Sequence, residues 1–254
     1  MVTMNIYETD QLLAEYLLFH YGEDHEILPW PFGPAAALHY PVRCVTECFD
    51  LKRLPAIARA LDLGCAVGRS TFELARHCHE VVGIDYSQRF VTAANELRDK
   101  RELPYLRRDE GDLATPLVAR VPAGIECHRV HFERGDALGL REDLGAFNAV
   151  LMANLIDRLQ EPRRLFARLP SMINRGGQLV IASPYTWLPE FTPRENWLGG
   201  FEHEGERRTT RKALQSLLEP DFELIKSSDQ PFLIREHGRK FQWSVAETTT
   251  WLRR

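Results

Sequence analysis

Apolar positions recur at helical spacing near the start of the chain. Leu12, Leu13, Tyr16, Leu17, His20 and Tyr21 share one side, Thr9 or Asp10 offers an N-cap, and Gly22 ends the run. A proline-rich connection follows from Ile27 to Pro34, and a second helix is expected after Pro41 with Val42, Val45 and Phe49 on one side. Both precede the first clear strand. Residues 1–52 are therefore read as an N-terminal helical cap and 53–254 as the core of one domain. From Ala58 the pattern changes to short apolar runs alternating with amphipathic stretches, which predicts a parallel sheet with crossover helices. The expected strands are Ala60 to Leu63, Val81 to Ile84, Val130 to Glu133, Ala149 to Met152 and Gln178 to Ala182. Helices are expected from Ser70 to Cys78, after the cap Ser87 with Phe90, Ala94 and Leu97 on one face, and from Pro162 to Ile173. Residues 103–122 break the rhythm and read as a hairpin insertion, with Asp109-Glu110-Gly111-Asp112 as its turn. An aromatic-rich loop from Ser183 to Phe201 leads to a helix near Thr210 to Leu218. Two strands near Phe222 to Lys226 and Phe241 to Val245 then complete an α/β sheet of seven, the last antiparallel.

The sharpest local signal is Leu61-Asp62-Leu63-Gly64-Cys65-Ala66-Val67-Gly68-Arg69-Ser70. Glycine lets a strand turn tightly into a helix and lets the backbone approach a ligand. Val81-Val82-Gly83-Ile84-Asp85 follows about 20 residues on, the place from which a carboxylate reaches ribose hydroxyls. Gly135-Asp136-Ala137 follows the third strand, where a short acid can accept from an adenine amino group. A dinucleotide oxidoreductase would need GxGxxG, and the order here is Gly64, Ala66, Gly68 with no third glycine in register. Asp62, just before the turn, would also repel a pyrophosphate but not an ammonium group. Asp85 could instead cap the next helix, and Asp136 could stabilise a turn.

Residues 58–182 resemble the class I S-adenosylmethionine-dependent methyltransferase fingerprint, with Ala66 where the middle glycine usually stands. The resemblance implies a Rossmann-like fold and S-adenosylmethionine as cofactor. It places Asp62, Gly64, Cys65, Ala66, Gly68, Asp85, Tyr86, Asp136, Ala137 and Asn154 at the cofactor.

In such a fold the acceptor lies over the carboxyl ends of the strands, and three segments reach there. They are Asn154-Leu155-Ile156-Asp157-Arg158-Leu159, Ser183-Pro184-Tyr185-Thr186-Trp187 running on to Trp197, and the cap with Tyr16, His20, Tyr21, Tyr40 and Arg43. Together with Phe19-His20-Tyr21-Gly22 and Tyr40-Pro41-Val42-Arg43-Cys44, these resemble the methyltransferase domain of ovothiol biosynthesis over nearly the whole chain. That resemblance implies transfer of a methyl to the imidazole π nitrogen of 5-mercaptohistidine, or of its selenium analogue, by a stand-alone form. Asn154, Asp157 and His20 are then the candidate catalytic groups. Tyr16, His20, Tyr21, Arg43, Asp157, Tyr185, Trp187 and Trp197 are the candidate substrate contacts, with Arg43 offered to a carboxylate through bidentate pairing. Tyr16, His20 and Tyr21 could equally be packing residues, Arg43 could pair with Glu47 one turn on, and Arg158 reads as a brace for its loop.

A net charge of -4, with 32 Lys and Arg against 36 Asp and Glu, argues against a nucleic-acid surface. The cluster Arg207, Arg208, Arg211 and Lys212 is interleaved with Glu202, Glu204 and Glu206. Five irregularly spaced cysteines do not suggest a disulfide framework, and no metal site is expected, since His77-Cys78-His79 are adjacent and lack a CxxC partner. No apolar run approaches a membrane span, and no signal peptide is read, so the expectation is a cytoplasmic protein acting on a small molecule, with its oligomeric state open. The alternatives are a class I enzyme for another small imidazole, amine or thiol, and a protein that binds S-adenosylmethionine without turnover.

Overall fold

The structure, a computed structural model, describes residues 6–254. Three helices come first: α1 (Asp10–Tyr21), α2 (Asp24–Ile27) and α3 (Tyr40–Thr46). Thr9 caps α1 by accepting from the Leu12 amide, and Gly22 closes it with an N–H to the Leu18 carbonyl. The alternation that follows is β1 (Arg59–Leu63), α4 (Arg69–Leu74), β2 (Glu80–Asp85), α5 (Gln88–Lys100), a hairpin of β3 (Glu102–Glu110) and β4 (Leu113–Arg120), then β5 (Val130–Arg134). It continues with β6 (Phe147–Ala153), α6 (Pro162–Met172), β7 (Ile173–Ser183), a small hairpin of β8 (Phe201–His203) and β9 (Glu206–Arg208), α7 (Thr210–Leu218), β10 (Phe222–His237) and β11 (Lys240–Arg253).

Seven strands form one sheet in the order β10-β11-β7-β6-β1-β2-β5. The five from β7 to β5 run parallel, and β11 lies antiparallel between β7 and β10. Both faces are covered, as the nearly unbroken apolar runs of a parallel sheet require. Ala149 and Leu151 of β6 face one core, which holds Leu17, Leu18 and Tyr40 of the cap beside Phe72 and Phe90. Val150 and Met152, one step out of phase, face the other, with Leu165, Phe166 and Leu214. The cap is thus built into one of the two main cores.

Several elements differ from their expected extents, and β7 begins at Ile173 where Gln178 was expected. Helix α4 stops at Leu74 instead of Cys78, its last turn closing with tighter i to i+3 bonds from Arg76 to Glu73 and His77 to Leu74. The final strands are far longer than the two short runs expected, at 16 and 14 residues. Pro231 and the polar Ser227-Ser228-Asp229 mask β10 in the sequence, yet β10 is the edge strand, where proline is tolerated because its missing donor can face away from the ladder. Among the described residues no helix is long and apolar enough to cross a membrane.

Candidate functional site

The chain turns from β1 into α4 through residues held at positive φ: Gly64 at 79°, Ala66 at 48° and Gly68 at 86°. Glycine is required at two of them. A Cβ on Gly68 would lie 2.4 Å from the Phe132 ring, and Gly64 is strained for any L-residue and backs onto Leu155. Ala66 holds a conformation that L-residues rarely adopt because its amide donates to Asp85 Oδ2 at 2.9 Å. The other oxygen of Asp85 accepts from the Ser87 amide at 2.8 Å. Burial pushes the Asp85 carboxyl up, and the two amides pull it back. Asp85 therefore ties the tip of β2 to the turn, while α5 takes its own cap from the Ser87 hydroxyl, which accepts from Phe90 at 3.2 Å.

A cavity of about 380 Å³ opens above this turn, within the usual size of a small-molecule site. Of the residues singled out in the sequence, it brings together Gly64, Cys65, Ala66, Asp85, Tyr86, Asp136, Ala137 and Asn154 with Tyr16 and His20. Tyr86 is 59% exposed, with the Arg134 guanidinium 5.7 Å above its ring. Asp136 accepts from the Leu138 amide at 2.8 Å, so it does stabilise a turn, and it still lines the cavity. Asn154 sits at φ 53°, its amide N–H fixed on the Ala182 carbonyl and its side-chain oxygen accepting from the Tyr40 hydroxyl at 3.1 Å. With that oxygen engaged, its unspent capacity is the NH₂ donor pair.

His20 lines the cavity but does not suit the role of base. Its Nδ1 accepts from the Arg69 amide at 3.4 Å, and burial together with the Arg69 charge lowers its pKa to about 3. The ring is neutral and carries its proton on Nε2, so it offers a donor.

Several expected contacts lie elsewhere. Asp62 does not line the cavity. It is buried beneath the turn, accepting from the Ser70 and Thr71 hydroxyls at 2.6 and 2.7 Å, and burial raises its pKa to about 6. Gly68 shapes the turn from below. The Tyr21 hydroxyl donates to the Val67 carbonyl at 2.7 Å. Arg43 turns from the cavity to the edge strand, where it donates to Gln230 and the Pro231 carbonyl, and its expected partner Glu47 accepts from Gln230 instead. Asp157 is 1% exposed and takes the Ser183 hydroxyl, the Thr186 amide and Arg158, so it organises the loops beneath the site and does not face an acceptor. Tyr185 donates to Glu247, Trp187 to Thr210, and Trp197 to the Thr192 carbonyl, which makes all three anchors of their loop.

Tyr40, named with the cap in the sequence, does wall the cavity, and with it stand Tyr7, Phe19, Phe90, Arg158 and Phe191. Tyr7 and Tyr16 meet edge to face at 6.3 Å, and Tyr16 lies 4.8 Å from Phe90. Arg158 adjoins the flagged Asn154 and Asp157 in sequence and was within reach. Tyr7 and Phe191 carry no local signal, because only the tertiary fold brings them together.

The strand order, the glycine turn and the carboxylates at the tips of β2 and β5 define a class I methyltransferase fold. Residues 61–181 match the family described as a methyltransferase domain. The ubiquinone biosynthesis O-methyltransferase of Xanthomonas axonopodis pv. citri is 25% identical over 155 residues, which cover 59% of this chain and 53% of that protein. The chain thus spans about half the length of the curated relative it matches. The YcgJ protein of Bacillus subtilis has a similar structure, with a TM-score of 0.54, 13% identity, and coverage of 85% of this chain and 99% of that one. An S-adenosylmethionine-dependent methyltransferase of Methanosarcina mazei gives 0.52, 17%, 80% and 95%. At these identities the structural likeness is one of fold.

Proposed function

We propose that this chain is an S-adenosylmethionine-dependent methyltransferase that methylates a ring nitrogen of a small heteroaromatic acceptor, with the imidazole π nitrogen of 5-mercaptohistidine or its selenium analogue as the favoured substrate. The residues present suit the cofactor: a cradle in which Gly64 cannot carry a side chain without strain, and carboxylates at Asp85 and Asp136 on its rim. Asp85 would hold the ribose hydroxyls with the lone pairs its two amide donors leave free, and Asp136 would meet the adenine amino group. When bound, S-adenosylmethionine supplies an electrophilic methyl for in-line displacement.

The observation that carries the reading is the character of the aromatic end of the cavity. Among the described residues there, Tyr16, Phe19, His20, Tyr40 and Asn154 supply surfaces and donors but no general base, since His20 is neutral with Nδ1 occupied and burial raises the pKa of both tyrosines. Oxygen acceptors such as phenols need a proton removed as they react. A pyridine-type ring nitrogen has its lone pair ready, so positioning suffices. The Asn154 amide and the His20 Nε2–H supply directional donors that fix which atom of a mercapto-imidazole faces the methyl. Restraint of this kind is needed because sulfur is the softer competing nucleophile.

The Xanthomonas relative favours a second reading, O-methylation of a quinol-like acceptor in the same aromatic chamber. The test is to incubate the protein with cofactor and a panel of histidine derivatives, other imidazoles and catechols, then locate the methyl by mass spectrometry and NMR. The expected product is methylated on the ring nitrogen. A methyl found only on oxygen would overturn the reading, as would cofactor binding without turnover on any acceptor.

A further inference from the structure

Arg158 is the only Lys or Arg among the described residues lining the cavity. Its setting goes beyond a loop brace. Nη1 alone makes three contacts, donating to the Asp157 carbonyl at 3.0 Å, Asp157 Oδ2 at 3.1 Å and the Thr186 carbonyl at 3.0 Å. The guanidinium carbon lies 4.7 Å from the centre of the Phe191 ring, and the Tyr7 phenol is in hydrogen-bond contact with the group. The cation is thus clamped on one nitrogen and covered on one face. None of those three contacts uses the Nε–Nη2 edge, which matches a carboxylate bidentately. Asp157 pairs with the cation through Nη1.

We propose that Arg158 recognises a carboxylate on the acceptor, so that the substrate class is a heteroaromatic amino acid and not an uncharged aromatic. The proposal rests on the acceptor reading above and deepens it. It also moves carboxylate recognition from Arg43, which is spent on the edge strand, to a residue of the cavity wall. Arg158 acts as a specificity-determining residue: it selects and aligns the acceptor by the end remote from the reacting ring. Tyr7 adds a hydroxyl beside the same anion.

The experiment uses the full chain loaded with S-adenosylhomocysteine. Calorimetry measures the affinity of mercaptohistidine and its decarboxylated counterpart, with L-histidine and histamine as a second pair, for wild type, Arg158→Gln, Arg158→Lys and Tyr7→Phe. Wild type is expected to prefer the carboxylated member of each pair by about 30-fold or more, the scale of losing one partner of a charged pair. Arg158→Gln should bring that ratio close to one while the affinity for S-adenosylhomocysteine stays within about twofold, and Arg158→Lys should keep part of the preference. A purely bracing role would weaken both members equally and leave the ratio intact, which overturns the proposal. So would equal binding of both members by wild type, or a loss in Arg158→Gln that falls on S-adenosylhomocysteine, which would assign the guanidinium to the cofactor's own carboxylate. Tyr7→Phe leaves the Thr186 contact untouched, so a reduced ratio there supports the anion site even if Arg158→Gln disturbs its loop. A wild type that prefers carboxylates yet methylates no imidazole retires the ring reading and keeps Arg158.

Discussion

The two ends of the cavity are built on different principles. The end proposed for the cofactor is local: Gly64, Cys65 and Ala66 are consecutive, and Asp85, Tyr86, Asp136 and Ala137 sit at or just past the tips of β2 and β5. Its geometry is fixed by backbone, with Asp85 drawing the amides of Ala66 and Ser87 onto one carboxylate. The acceptor end is a convergence of side chains from Tyr7, α1, α3, the loop after β6 and Phe191. One end can be kept with a handful of short-range constraints. The other changes whenever any of several remote segments changes, as befits the part of a site that varies with its ligand.

The sharpest way to break the cofactor end is Asp85→Ala. It removes the acceptor of two amides together with the proposed ribose contact, and hydrogen bonds to a charged group are worth about 1.5–3 kcal/mol each. Binding of S-adenosylmethionine should weaken by about 3 kcal/mol, roughly 100-fold or more. Calorimetry showing unchanged affinity would remove Asp85 from the site. At the acceptor end, Tyr40→Phe deletes one hydroxyl and with it the bond that orients Asn154. Turnover should fall by about tenfold, equivalent to ~1.4 kcal/mol, with cofactor affinity little changed. A loss confined to cofactor binding would place Asn154 on the wrong side of the comparison.

Acid separates the two ends by sign. Asp62, under the turn, has its folded pKa raised to about 6, so its contribution to stability is present at low pH and lost as pH rises through 6. His20, at the acceptor end, has its folded pKa lowered to about 3, so its contribution is present above its ordinary value and lost as pH falls towards 3. Between pH 6 and 4, Asp62→Asn should therefore lose melting temperature relative to wild type as the medium acidifies, and His20→Gln should gain. Melting curves that move together in the two variants would contradict the assignment. The smallest effect is expected of Ala66→Gly. Glycine normally destabilises by about 0.5–1 kcal/mol, but relief of the positive φ should cancel that here, leaving the melting temperature within about 2 °C of wild type.

The same contrast explains what could be read from the chain. The five parallel strands and the glycine turn were legible because the apolar runs at β1, β2 and β6 and the residue types at 64–68 reflect local rules. The residues named for the cofactor line one cavity, apart from Asp62 and Gly68, whose side of the turn no spacing rule reveals. Arg43 with Glu47 four residues on looked like either a helix pair or a ligand clamp, and neither holds. Arg43 reaches Gln230 on a strand 187 residues away, which no local pattern encodes. Asp157 was correctly located after β6 but points below the cavity, while its neighbour Arg158 lines it. Adjacent residues in a tight turn point in different directions, and sequence does not say which.

The placement of β11 also bears on how the chain is made. It follows β10 in the sequence, yet it lies between β7 and β10 and pairs with both. Until residues 240–253 have left the ribosome, β7 presents an open edge flanked by apolar faces, and the sheet cannot close. The parallel core can assemble during synthesis while its margin waits for the final strand. A nascent chain that has not yet released those residues would then hold a nearly finished parallel core beside an unpaired β7 edge.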